Sequence, residues 1–175
     1  MLPIQLITKL IKILRSAASP SQIAWGFVLG MIIGFSPSFL NPINFLVIFL
    51  LIILNINLTS AIFGYAIFRA AAYFLDPIFH SLGFFLLVEA QPLKKLWVWM
   101  YNAPLLPYTR FYNTVVLGSL ISSLLLIFPL FFVIKKSVTF YREKYEPRVQ
   151  NWKWVKIIKA TPLYKWYERL KSLGE

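Results

Sequence analysis

The sequence contains no cysteine. Disulfides, thiolate metal sites and cysteine nucleophiles are therefore excluded. Acidic residues are almost as scarce. There are six, Asp76, Glu89, Glu143, Glu146, Glu168 and Glu175, beside a single histidine, His80. General acid–base or metal chemistry has few groups to draw on. The expectation is a non-enzyme, with no catalytic residue, no metal and no cofactor. Charge as a whole is sparse, at 14% of 175 residues. Soluble globular domains carry roughly a quarter, so that class is excluded. Disorder is excluded by the hydrophobic share, which is 59%.

What is present is apolar sequence with basic ends. The formal net charge is +12. Lys9, Lys12 and Arg15 give the first 18 residues +3, and residues 135–175 hold +7. The middle holds Arg69, Lys94, Lys95 and Arg110 against Asp76 and Glu89, leaving +2. Short basic segments flanking membrane spans stay in the cytoplasm. Both termini are therefore expected to be cytoplasmic, with an even number of crossings. Residues 90–110 then face outside, and their three basic residues count against that orientation.

The chain divides into three parts. Residues 1–18 carry Gln5, Lys9, Lys12 and Ser16 at helical spacing against Leu6, Leu10 and Ile13. That pattern fits an amphipathic helix lying in the bilayer interface. Its charges sit inside the apolar run, unlike those of a signal peptide. Residues 19–134 form the membrane domain. Residues 135–175 form a basic tail, expected to be cytoplasmic, with Trp152, Trp154, Tyr164, Trp166 and Tyr167. Nucleic acid is not expected as a partner, because basic amphipathic segments with aromatics fit a membrane surface. Anionic headgroups attract each Lys or Arg there by about 1 kcal/mol.

No Asp, Glu, Lys, Arg or His occurs from Ser16 to Phe68. That is longer than one span, for which roughly 20 residues suffice. Polar-residue–proline pairs subdivide the chain: Ser19-Pro20, Ser36-Pro37, Asn41-Pro42 and Asp76-Pro77. A capping side chain followed by proline at the first helical position marks a helix start. It also ends the preceding helix. The expected pieces, Ile23–Phe35 and Ile43–Leu54, are about 20 and 18 Å long. Neither comfortably crosses a hydrocarbon core of ~30 Å. Ser36, Pro37, Asn41 and Pro42 frame the uncharged turn between them. Two readings are open: a re-entrant hairpin, or two tilted spans with a turn at the interface.

A further helix is expected from Thr59, interrupted at Asp76-Pro77 and resuming at Ile78. The two parts make either one broken span or a second hairpin. Residues 90–110 place Trp97, Trp99, Tyr101 and Tyr108 beside basic residues, an interfacial belt. Phe111–Ile134 is the clearest span, with Pro129 expected to kink it. The fold class is thus all-α: a polytopic membrane protein with a proline-broken helical hairpin and flanking amphipathic helices.

Two groups of residues stand out. Gly26, Gly30 and Gly34 recur every four residues, which lets another backbone approach closely. The packing partner is either Ile43–Leu54 or the 59–75 helix, or a second copy of the chain in a homo-oligomer. Arg69, Asp76 and His80 are ionisable groups in apolar sequence, which by default mark a site. They are read either as an Arg69–Asp76 ion pair with structural roles or as a passage for ions or substrate. Asn41, Asn44, Asn55 and Asn57, with Ser36 and Ser38, either satisfy helix ends or line a polar pocket.

The stretch Pro20–Gly83 resembles an uncharacterised bacterial membrane family, domain-of-unknown-function 2062. The resemblance rests on Pro20, Ile23, Ala24, Gly26, Phe27, Gly30, Ile33, Gly34, Phe35 and Pro37, then Asn57-Leu58 and Asp76-Pro77. Asp76 stands where the family pattern has Asn. Ser38-Phe39-Leu40-Asn41-Pro42 replaces its glycine-containing turn. The resemblance implies a bacterial inner-membrane protein with no known catalytic residue. Short single-domain members look like partners of a larger envelope protein encoded alongside them. The function expected is a non-catalytic subunit anchoring or assisting such a protein, in lipid handling. The alternative is a small transporter or lipid-translocating protein.

Overall fold

The computed structural model describes residues 18–145. The expected N-terminal amphipathic helix and the tail segments beyond residue 145 lie outside the described residues. The described residues are all-helical, without a strand. Five α-helices follow in order: α1 Pro20–Phe35, α2 Pro42–Ile53, α3 Leu58–Phe84, α4 Lys94–Asn102 and α5 Thr114–Phe140. Single π-helical turns, Phe85–Glu89 and Tyr141–Tyr145, extend α3 and α5. Short 3₁₀ turns, Gln91–Leu93 and Leu106–Thr109, flank α4.

α1 starts as its cap predicts. Ser19 Oγ accepts from the Gln22 amide, and the Gln22 side chain reaches back to the Ser19 amide. This reciprocal box satisfies two of the donors that open a helix. A helix apolar on every side must be buried on every side. α1 fulfils that: Ile23, Ala24, Val28, Met31, Ile33 and Phe35 are all buried. It is the axis around which α2, α3 and α5 pack. Phe35 sits edge-on to Phe68 and Phe79 of α3, and Trp25 meets Phe131 of α5 at 4.8 Å.

The three glycines of α1 all face α3, which resolves their packing partner within the chain. A β-carbon on Gly26 would lie 2.5 Å from the Asn57 carbonyl oxygen. On Gly30 it would overlap the Ala61 carbonyl, and on Gly34 it would come within 2.9 Å of the Tyr65 carbonyl. The match advances in the same sense along both chains, so α1 and α3 run parallel. Gly64 of α3 answers by admitting the Phe27 backbone. α2 returns antiparallel to α1, and the Gln22 side chain donates to the Asn55 carbonyl in the α2–α3 turn. Asn55 has φ 48°, the left-handed region that Asn tolerates.

Asp76-Pro77 does not interrupt the chain as expected. α3 runs through it as one helix, Leu58–Phe84, with Pro77 inside. There is therefore no second hairpin in 59–88. Proline in a helix interior forfeits one backbone bond and crowds the preceding turn. Here Pro77 and Tyr73 are on the exposed side, while Ala72 and Phe79 are buried on either side of the break. Packing of that inner face holds the helix together. Ser36-Pro37 likewise opens no helix; it lies in the α1–α2 turn.

α5 begins at Thr114, not at Phe111. Asn113 Oδ1 accepts from the Val115 and Val116 amides and sets the start. α5 runs antiparallel to α3 and meets it through single glycines. A β-carbon on Gly83 would overlap the Thr114 carbonyl, and one on Gly118 the Phe79 carbonyl. Pro129 is carried within a helix that continues to Phe140.

Two helices are long and apolar enough to cross a membrane, Leu58–Glu89 and Thr114–Lys144. Only 17% and 22% of their most apolar stretches is buried in the protein. A soluble protein hides such surface in its core. Here Ile62, Phe74, Ile78, Leu125, Phe128 and Phe132 all face outward.

Candidate functional site

The α1–α2 turn gathers Ser36, Ser38, Asn41 and Asn44, and the structure closes it with side-chain hydrogen bonds. α1 ends at Ser36 in extended conformation. The Ser36 hydroxyl donates to the Ser38 carbonyl. Asn44, one turn into α2, donates through Nδ2 to the Ser38 and Phe39 carbonyls. Asn41 caps α2 by accepting from the Ile43 amide and donates to the Thr109 carbonyl at 2.8 Å. Ser36, Pro37, Asn41 and Pro42 thus do frame the turn, and Asn41 ties it to the segment that follows α4. Pro37 itself adds a fixed bend.

Arg69 belongs to this assembly. Its guanidinium donates to the Ser36 carbonyl at 2.8 Å. A cation at a helix C-terminus is favoured by the helix dipole and satisfies a terminal carbonyl. Arg69 forms no ion pair with Asp76, although both lie on the continuous α3. Asp76 is partly buried and sits one residue before Pro77. His80 Nδ1 is 2.7 Å from the Thr114 hydroxyl, at the α3–α5 crossing. The three ionisable residues therefore serve separate places rather than one centre. The described residues hold no group of three His, Cys, Asp or Glu able to hold a metal.

Behind the turn lies a cavity of about 10 Å³, bordered by Ser36, Asn41, Asn44 and Ser119. That is the lower limit for one water. Asn44 Oδ1 is buried without a partner among the described residues. A larger cleft, about 330 Å³, opens between α2 and α3 over Ile33. Leu51, Leu58 and Ile62 are among its walls, and Tyr65 supplies the one polar side chain. It offers shape and apolar surface, with no reactive group. Among the described residues, the buried polar side chains are Asn41, Asn44, Ser60, Ser119 and Ser123. Ser60 donates to the Ile23 carbonyl, joining α3 to α1. Ser119 and Ser123 donate within α5.

Sequence reasoning singled out the α1 glycines and passed over Gly83 and Gly118, which make the α3–α5 crossing. It also passed over Asn113 and Ser60. Asn113 carried a signal, an amide side chain just ahead of an apolar run.

No curated protein and no solved structure matches the chain. A family model described as an uncharacterised protein conserved in bacteria (DUF2062) matches residues 5–146. The match takes in the hairpin, both long helices and the segment between them, well beyond the Pro20–Gly83 stretch on which the resemblance rested. The chain belongs to this uncharacterised bacterial family, domain-of-unknown-function 2062.

Proposed function

We propose that the protein is a non-catalytic subunit of the bacterial inner membrane that anchors or assists a larger envelope protein. The observation that carries this reading is the outward-facing apolar surface of α3 and α5 around a glycine-locked axis. Such a body offers a rigid platform in lipid. In this reading α3 and α5 cross the bilayer and α1–α2 is a re-entrant hairpin. Non-helical backbone at membrane depth needs protein cover. Asn41, Asn44 and Arg69 supply it to the turn, with the Leu106–Thr109 segment above. Trp25 beside Phe131 brings the start of α1 and the later part of α5 to one end. That arrangement and the basic ends support a reading with two crossings and both termini cytoplasmic.

The transporter reading loses its main support, because Arg69, Asp76 and His80 do not converge on a cavity. Lipid handling by the complex keeps a basis in the apolar cleft between α2 and α3. The test is chemical crosslinking in native membranes followed by purification in mild detergent. A reproducible stoichiometric partner is expected. Recovery of the chain alone, as monomer or homo-oligomer, removes the proposal.

A further inference from the structure

The segment joining α3 to α5 folds into a groove of its own, about 230 Å³ in volume. Lys94, Trp97, Val98, Tyr101 and Asn102 contribute to it from α4. These positions recur at three and four residues, so they share one helix face. Leu87, Phe111 and Tyr112 form the opposite wall. The walls are braced. Trp97 Nε1 donates to the Leu86 carbonyl in the π turn and its ring stacks on Phe111 at 6.0 Å. Tyr101 meets Tyr112 edge-on at 5.9 Å.

Most polar groups in this groove are donors, and Asn102 spends its Nδ2 on the Val98 carbonyl. The Lys94 ammonium and the hydroxyls of Tyr101 and Tyr112 have no hydrogen-bond partner among the described residues. Lysine offers donors only, and a phenol offers an O–H. No carboxylate lines the groove. Lys95 and Arg110 add positive charge to the segment, and Glu89 is its single acid. Apolar walls with cationic and hydroxyl donors complement an anionic amphiphile. The groove lies at the ends of α3 and α5, where bilayer headgroups meet hydrocarbon in the proposed arrangement.

We propose that this groove binds one anionic phospholipid, with its phosphate on Lys94, Tyr101 and Tyr112 and its glycerol and upper chain against Trp97, Val98 and Phe111. The proposal rests on the membrane placement given above and adds a site and a ligand class to it. It is distinct from the generic attraction of a basic tail, because the groove has walls.

The test uses the full chain in nanodiscs of phosphatidylcholine doped with a photoactivatable phosphatidylglycerol. Crosslinked peptides are mapped by mass spectrometry, so adducts in residues 94–112 separate from adducts in the tail. Labelling in 94–112 is expected, competed by unlabelled phosphatidylglycerol and not by phosphatidylcholine. Lys94→Gln should lower it roughly fivefold, the factor lost with one lysine–anionic lipid contact. Tyr101→Phe with Tyr112→Phe should lower it further, while adducts in the tail stay constant as an internal control. Equal labelling by a phosphatidylcholine probe overturns the proposal, as does labelling insensitive to Lys94→Gln. Competition by inorganic phosphate as effective as by the lipid reassigns the groove to a free phosphate and overturns it too. Quantitative extraction of the protein from membranes by alkaline carbonate removes the membrane placement itself, and this site with it.

Discussion

At the scale of single residues, the six helical glycines are not equivalent. At Gly34 the nearest obstacle to a methyl group is 2.9 Å away, whereas at Gly30 it overlaps the Ala61 carbonyl and lies 2.8 Å from the Tyr65 nitrogen. Alanine recovers about 1 kcal/mol of helix propensity over glycine. Overpacking against backbone that cannot rotate away costs about 1–3 kcal/mol or more. All of these alanine substitutions should therefore destabilise, Gly30→Ala, Gly83→Ala and Gly118→Ala most and Gly34→Ala least. Unfolding midpoints in mixed detergent give the order. Equal midpoints for Gly30→Ala and Gly34→Ala would mean that α1 and α3 are not in close backbone contact. Arg69 and Asp76 yield a second residue-scale prediction. Arg69 holds the Ser36 carbonyl and not Asp76. The effects of Arg69→Gln and Asp76→Asn on the same midpoints should add to within about 0.5 kcal/mol, as for residues that share no partner. A coupling above 1.4 kcal/mol, a factor of about ten, would restore the ion pair.

At the scale of elements, Asn41 does two jobs with one amide. Its oxygen starts α2 and its nitrogen holds Thr109, and the side chain is 2% exposed. Asn41→Ser keeps a capping oxygen and loses the reach to Thr109. Asn41→Ala loses both, at about 1 kcal/mol for the cap plus about 1–3 kcal/mol for a carbonyl left unpaired. Protease cleavage within 103–113 should rise in both variants, while α2 should lose stability only in Asn41→Ala. Identical behaviour of the two would show that the capping oxygen contributes nothing, and unchanged cleavage in both would show the same of the link to Thr109. The same polar-residue–proline pairs show what a sequence can and cannot announce about elements. Ser19-Pro20 and Asn41-Pro42 open helices as read, because their caps find free amides within the next three residues. Ser36-Pro37 and Asp76-Pro77 have the same local chemistry and open none. At Pro77 the decision belongs to Ala72 and Phe79, which pack inward on both sides of the proline and keep α3 whole. Local sequence permits a break; distant packing decides it. The glycines divide in the same way. Gly26, Gly30 and Gly34 are legible because the repeat lies on one helix. Gly83 and Gly118 belong to no repeat along their helices, and only the crossing of α3 with α5 brings each against the other helix's backbone. The groove beside α4 reads in the sequence as an aromatic-basic belt, but its opposite wall, Phe111 and Tyr112, reads as the start of a span.

At the scale of the whole molecule, the proposed membrane placement turns on how many of the helices cross the bilayer. The turn after α1 lies at the level of Arg69, while α3 continues to Phe84, which is about 22 Å further along at 1.5 Å per residue. The hairpin is therefore shorter than the helices beside it, and the Leu106–Thr109 segment is bonded to its turn. Because the chain has no cysteine, single cysteines report one position each. A membrane-impermeant maleimide applied from outside should label Asn102→Cys, which is exposed beyond the ends of the long helices. Ser172→Cys should label only after the cytoplasmic side is opened. Ser38→Cys should resist the reagent from both sides in the intact protein, since Ser38 is half-buried in the turn that Asn41 ties to Thr109. It should become reactive from outside when Asn41→Ala frees that segment. Ser38→Cys labelled from outside as fast as Asn102→Cys would replace the re-entrant hairpin with two full spans. Ser172→Cys labelled from outside would invert the orientation. The basic belt of Lys94, Lys95 and Arg110 would then be the cytoplasmic signal that outweighs the ends, and the lipid groove would face the opposite leaflet.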